Sequence, residues 1–75
     1  MKEYEIVLTY LNGCASAAYP QISFDEAQLA DPADYIRAKH SKDFAKFVTE
    51  TPEPGKIIWK FDNGCVSYTY EFNDL

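Results

Sequence analysis

The sequence predicts an α+β fold of the order ββαββ, a four-stranded antiparallel sheet built from two repeated hairpins with one face covered by a helix. Three observations carry this reading. The tripeptide Asn-Gly-Cys occurs twice, at Asn12-Gly13-Cys14 and Asn63-Gly64-Cys65, each time between runs rich in β-branched and aromatic residues. On both sides of each tripeptide apolar and polar residues alternate, which is the period of a half-buried strand. Between the two copies the period lengthens to about 3.6 residues, that of an amphipathic helix.

The first hairpin covers residues 3–22. Asn-Gly is the strongest short hairpin signal, because a type I′ turn needs φ > 0 at both central positions. Such a turn fixes the register, placing Leu11 opposite Cys14, Tyr10 opposite Ala15, Leu8 opposite Ala17 and Ile6 opposite Tyr19. The helical connector covers residues 24–50. Ser23-Phe24-Asp25-Glu26 has the form of a capping box and predicts a short turn of helix through Leu29. Asp31-Pro32-Ala33-Asp34 is a better start, with Asp as N-cap, Pro in the first turn and a second acid beside it. Ala33, Ile36, His40, Phe44, Phe47 and Val48 then form one apolar stripe, and Thr51-Pro52-Glu53-Pro54-Gly55 ends it.

The second hairpin covers residues 56–72 and places Asp62 opposite Cys65, Phe61 opposite Val66, Trp59 opposite Tyr68 and Ile57 opposite Tyr70. Alternation gives a core face of Tyr4, Ile6, Leu8, Tyr10, Tyr19, Ile57, Trp59, Phe61, Val66, Tyr68, Tyr70 and Phe72. The wet face carries Glu3, Glu5, Val7, Thr9, Ser16, Lys56, Lys60, Ser67, Thr69 and Glu71, where cross-strand pairing of Glu3 and Glu5 with the lysines is expected. A single helix of about sixteen residues spans roughly 24 Å, the length of a strand. It would carry the chain across the sheet, give the strand order 2-1-3-4, and hold Cys14 and Cys65 too far apart to bond. If Ser41 instead breaks the segment into two short helices, the chain returns to its starting end and the turns become neighbours. Both arrangements stay open.

Composition limits the chemistry. Seventy-five residues, 47% of them hydrophobic, make one domain, 1–75, with enough apolar and aromatic surface for a core without a staple. A net charge of −5 argues against direct binding to nucleic acid or to an anionic membrane, both of which need cationic surface. Two cysteines with a lone histidine fall short of a structural zinc site, so no metal and no cofactor is expected, and the cysteine count fits a reduced cytoplasm. Leu11-Asn12-Gly13-Cys14 is similar to a lipoprotein lipidation box, but Glu3 and Glu5 spoil the basic start and the apolar run is too short.

No catalytic set emerges. Cys14 with His40 lacks an orienting third group, and no cation lies near it in sequence to lower the thiol pKa. His40 sits on the apolar stripe, where it reads as a satisfied, partly buried histidine or a helix break. With only Gly13, Gly55 and Gly64 there is no phosphate-binding loop. The expectation is a protein that is not an enzyme.

Charge is segregated along the chain. Residues 1–36 carry six acids against Lys2 alone, residues 37–60 carry six bases against three acids, and residues 61–75 carry three acids and no base. Asp25, Glu26, Asp31 and Asp34 form the densest acidic run and are the candidate partner-binding residues. In size, charge and this cluster the chain resembles small phage-encoded inhibitors of host defence complexes, including anti-CRISPR proteins that mimic DNA. That resemblance implies an inhibitor acting in the host-cell cytoplasm. Its partner would be a protein with a basic nucleic-acid-binding groove, such as a CRISPR effector complex. The alternative is a small interaction or adaptor module, a monomer or weak homodimer pairing through a sheet edge.

Overall fold

The computed structural model describes residues 1–14 and 19–75. Its elements are β1 (Lys2–Asn12), β2 (Gln21–Leu29), α1 (Pro32–Lys39), a 3-10 turn at Phe44–Lys46, β3 (Val48–Glu53), β4 (Lys56–Asp62) and β5 (Val66–Asp74). The strands form one five-stranded sheet in the order β2-β1-β5-β4-β3, every neighbouring pair antiparallel. This corrects the expected four-stranded ββαββ arrangement. The connector between the two Asn-Gly-Cys segments is not mainly helical, because strands occupy both of its ends.

At one end, Ser23-Phe24-Asp25-Glu26 is strand rather than capping box. Ser23, Asp25 and Ala27 stand opposite Leu8, Ile6 and Tyr4, so β2 alternates like the strand it pairs with. At the other end the β-branched run Val48-Thr49 extends along β4, with Val48 opposite Lys60 and Thr49 opposite Trp59. A bulge between Glu50 and Glu53 lets this edge strand accommodate Pro52. Gly55, at φ +83°, then makes the turn into β4.

The helix begins where the sequence places it. Asp31 is the N-cap, its carboxylate accepting the Ala33 N–H at 2.9 Å, and Pro32 follows in the first turn. It ends early, at Lys39, because His40 leaves helical geometry (φ −134°, ψ 56°). From there Phe44 and Phe47 reach the sheet from the 3-10 turn and its C-cap, Phe44 stacking on Trp59 and Phe47 on Phe61 with ring centroids 5.6 and 5.4 Å apart. The apolar stripe is therefore real as a set of core contacts but is not one helix. Val48, read as its last member, lies in β3 and is exposed. Ile36 is the helix's anchor, fully buried against Tyr4, Ile6, Tyr70 and Phe72.

The break in the helix decides the topology. The chain comes back to its starting end, the two Asn-Gly-Cys segments lie side by side, and β1 pairs with β5, so the 2-1-3-4 order does not form. Cys14 and Cys65, which that order would have held apart, are joined by a disulfide with Cα atoms 5.0 Å apart. Beside it the Gly13 N–H donates to the Cys65 carbonyl at 2.6 Å. A Cβ on Gly13 would lie 3.2 Å from that same oxygen, so a residue without a side chain fits this close approach.

Both copies of the tripeptide make the same local bond. The Asn12 side chain accepts the Cys14 N–H, and the Asn63 side chain accepts the Cys65 N–H. Neither makes the expected type I′ turn. In the second copy, the Asn63 N–H to Val66 carbonyl bond leaves Gly64 and Cys65 as central residues, and only Gly64 has positive φ (+94°). Trp59 then faces Tyr70 and Phe61 faces Tyr68, two residues from the expected register. A shift of two preserves the faces, so Ile57, Trp59, Tyr68, Tyr70 and Phe72 do pack in the core. In the first copy Ile6 faces Asp25, not Tyr19, and Tyr19 is exposed. The expected partners of Tyr10 and Leu8, Ala15 and Ala17, lie outside the described residues, as does Ser16; Tyr10 and Leu8 pair with Gln21 and Ser23.

Candidate functional site

The sheet has a covered face, under α1 and the two phenylalanines, and an open face. Alternation sends Glu3, Glu5, Val7 and Thr9 of β1 to the open face together with their partners Gln28, Glu26, Phe24 and Ile22 of β2. Glu5 and Glu26 stand directly opposite each other. Their pair is of the kind that exchanges no main-chain hydrogen bonds, because odd-numbered residues of β1 turn toward β5, as the bonds to the Glu3 carbonyl and from the Gly13 N–H show. In such pairs the Cα atoms approach to about 4.5 Å and the side chains are closest. Among the described residues no cation lies within ion-pair distance of Glu3, Glu5 or Glu26.

The expected pairing of Glu3 and Glu5 with Lys56 and Lys60 does not occur, because β5 lies between β1 and β4. Lys56 instead bridges Glu71 at 3.0 Å and Glu53 at 3.3 Å, and Lys60 bridges Glu50 at 3.2 Å. Next to the three unpaired glutamates, Phe24 and Ile22 are 73% and 60% exposed, so large apolar side chains and a cluster of uncompensated acids lie together on this part of the described sheet.

The four acids singled out in the sequence do not converge. Glu26 joins Glu5 on the open face. Asp25, one residue earlier, points to the covered side, where its carboxylate accepts the Tyr35 hydroxyl at 3.0 Å and the Glu26 N–H at 2.9 Å. Asp31 caps the helix, and Asp34 bridges Arg37 at 3.2 Å. Of the four, Glu26 alone is free of a structural bond. Of the residues that complete its cluster, Glu3 and Glu5 are expected on the wet face but paired with lysines, and Ile22 in the first hairpin. The cluster stays hidden because the segment 23–29 reads as a turn of helix, which takes Phe24 and Glu26 off the sheet. The strict alternation of Ile22, Phe24, Glu26 and Gln28 with Ser23, Asp25 and Ala27 was the signal that could have found them.

The covered side holds a second polar group. A cavity of about 230 Å³ opens between β1, β2 and α1, lined by Ile6, Leu8, Ser23, Asp25, Tyr35 and Lys39. Burial, then the Asp25 carboxylate, pushes the Tyr35 hydroxyl above its ordinary pKa. Deeper in, His40 Nε2 meets the Tyr70 hydroxyl, and burial raises Tyr70 to about 12. Burial likewise lowers the pKa of His40, with Asp43 opposing and Lys39 reinforcing the shift. His40 is thus the partly buried, bonded histidine and the helix stop that its position in the stripe suggests. In the disulfide Cys14 has no thiolate to offer it. Among the described residues no group of three or more His, Cys, Asp or Glu side chains is placed to hold a metal ion, and no helix is long and apolar enough to cross a membrane.

The site and fold define a class, a small antiparallel-sheet protein with an acidic, partly apolar face at one edge. No protein family, curated protein or solved structure matches the chain.

Proposed function

We propose that this chain is a non-enzymatic binding protein that uses the β1–β2 half of its open face to occupy a basic, nucleic-acid-binding surface on a partner protein. It would act as an inhibitor of the DNA-mimicking, anti-CRISPR-like kind. The observation that supports this is the Glu5–Glu26 pair. Like charges directly opposite on a sheet destabilise it, and here Glu3 adds a third carboxylate with no cation among the described residues to offset them. A destabilising arrangement of this kind is what a functional surface tolerates in exchange for binding. Phe24 and Ile22 add the apolar contact that raises affinity beyond electrostatic steering.

In the cytoplasm of a host cell, the compartment this reading carries, Cys14 and Cys65 would be thiols. The acidic face must then work without their bond. The test is a pull-down from bacterial lysate with the immobilised protein, in dithiothreitol, at low and high salt and with duplex DNA as competitor. Retention of a nucleic-acid-binding protein that DNA displaces, that salt releases and that the Glu5→Lys, Glu26→Lys double variant loses supports the proposal. Retention that ignores DNA and both charge reversals contradicts it.

The second reading, an adaptor module, draws on the exposed Phe24 and Ile22 on an uncovered edge strand. Binding through them alone survives high salt and fails in Phe24→Ser, with the glutamates indifferent.

A further inference from the structure

The two edges of the sheet are defended unequally. β3 carries Pro52, a bulge and two glutamates that pair with lysines of β4, the usual devices against strand addition. β2 runs nine residues with no proline and no bulge, in continuous register with β1.

Which of its main-chain groups are free follows from the pattern of β1. The Leu75 N–H donates to the Glu3 carbonyl at 3.1 Å and the Gly13 N–H to the Cys65 carbonyl, so odd-numbered residues of β1 face β5. Tyr4, Ile6 and Leu8 therefore face β2, and their partners Ala27, Asp25 and Ser23 face back. The N–H and C=O groups of Ile22, Phe24, Glu26 and Gln28 point away from the sheet. Consistent with this, the Glu26 N–H is taken by the Asp25 carboxylate and not by a strand.

We propose that β2 is a docking edge that receives an extended basic segment of the partner as a sixth strand. Its main chain would bond to Ile22, Phe24 and Gln28, while its Lys or Arg side chains lie over Glu26 and Glu5. The proposal rests on the acidic-face reading above and specifies how the partner engages it. Charge decides between occupants. A second copy of this chain, paired antiparallel over the full nine residues, would set Asp25 against Asp25 and leave both Glu26 carboxylates without cations. A basic strand places opposite charge at the same positions.

The test uses the full chain, labelled for amide NMR, and an acetylated, amidated nonapeptide in which Lys alternates with Thr and Val. Addition of peptide is expected to slow hydrogen exchange at the Ile22, Phe24 and Gln28 amides. Phe24→Pro should bind at least tenfold more weakly than Phe24→Ala, because it removes an edge N–H and no bond to β1. Should the proline variant not fold, the wild-type exchange pattern still decides. Binding that perturbs Glu5 and Glu26 without protecting β2 amides, and that Phe24→Pro matches with Phe24→Ala, overturns the edge while leaving the acidic face intact. No binding by the wild type also overturns the edge, and the DNA-competition pull-down then judges the acidic face by itself. Concentration-dependent protection of the same amides without peptide assigns the edge to self-association and overturns the basic-strand proposal.

Discussion

The open face of the sheet divides into two halves that treat charge in opposite ways. Across β5, β4 and β3 every glutamate has a lysine, with Glu71 and Glu53 on Lys56 and Glu50 on Lys60. Across β1 and β2, Glu3, Glu5 and Glu26 gather with none among the described residues. Both halves are built of antiparallel strand pairs, which accept either arrangement of charge. The difference in charge lies in side-chain choice, and under the proposed function the β1–β2 half is where stability is relinquished for binding.

The largest effect expected concerns the seam between the halves. The Cys14–Cys65 bond ties the end of β1 to the β4–β5 turn and closes a loop of 51 residues. The loop-entropy relation puts its removal at about 4 kcal/mol. Urea unfolding of the Cys14→Ser, Cys65→Ser variant should show a loss of that order, with β1–β5 pairing still visible by hydrogen exchange. Next comes the shared underside. Ile36, fully buried between strands of both halves, should cost about 3 kcal/mol as Ile36→Ala.

Smaller effects separate the halves by sign. Glu26→Gln should stabilise the fold by about 0.5 kcal/mol by relieving the like-charge pair. Lys60→Gln should be neutral or destabilise by up to about 1 kcal/mol, since it removes an exposed ion pair. Both differences should shrink in high salt. Equal signs would erase the distinction between the halves.

A last, subtler effect concerns His40. Burial holds its pKa below the ordinary histidine value in the folded state. The unfolded chain therefore binds the proton more readily, and this contribution is complete above about pH 6.5 and is lost as pH falls through the folded value. Melting temperatures between pH 7.5 and 5 should drop further for the wild type than for His40→Gln.

Much of this molecule is legible in its sequence where local chemistry dominates. The Asp31-Pro32 helix start, the core alternation of β1, β4 and β5, and the bonded His40 all follow from residue type and spacing. What misled was competition between local signals. Ser23-Phe24-Asp25-Glu26 satisfies a capping-box pattern and a strand alternation at once, and pairing with β1 decides for strand. Phe44 and Phe47 keep helical spacing although the helix ends at Lys39, because aromatic side chains are long enough to reach the sheet from a 3-10 turn. Those two misreadings hid both edge strands. With β2 hidden, the acids were grouped by proximity in sequence, whereas alternation sends Asp25 and Glu26 to opposite faces.

One variant tests the central claim most directly, Glu26→Lys read in two assays. The cross-strand pair then becomes attractive, so the melting temperature should rise by about 2–4 °C, while retention of the DNA-competed partner from lysate is lost. A melting temperature that falls, or a partner retained undiminished, would contradict the view that this half of the face gives up stability for binding.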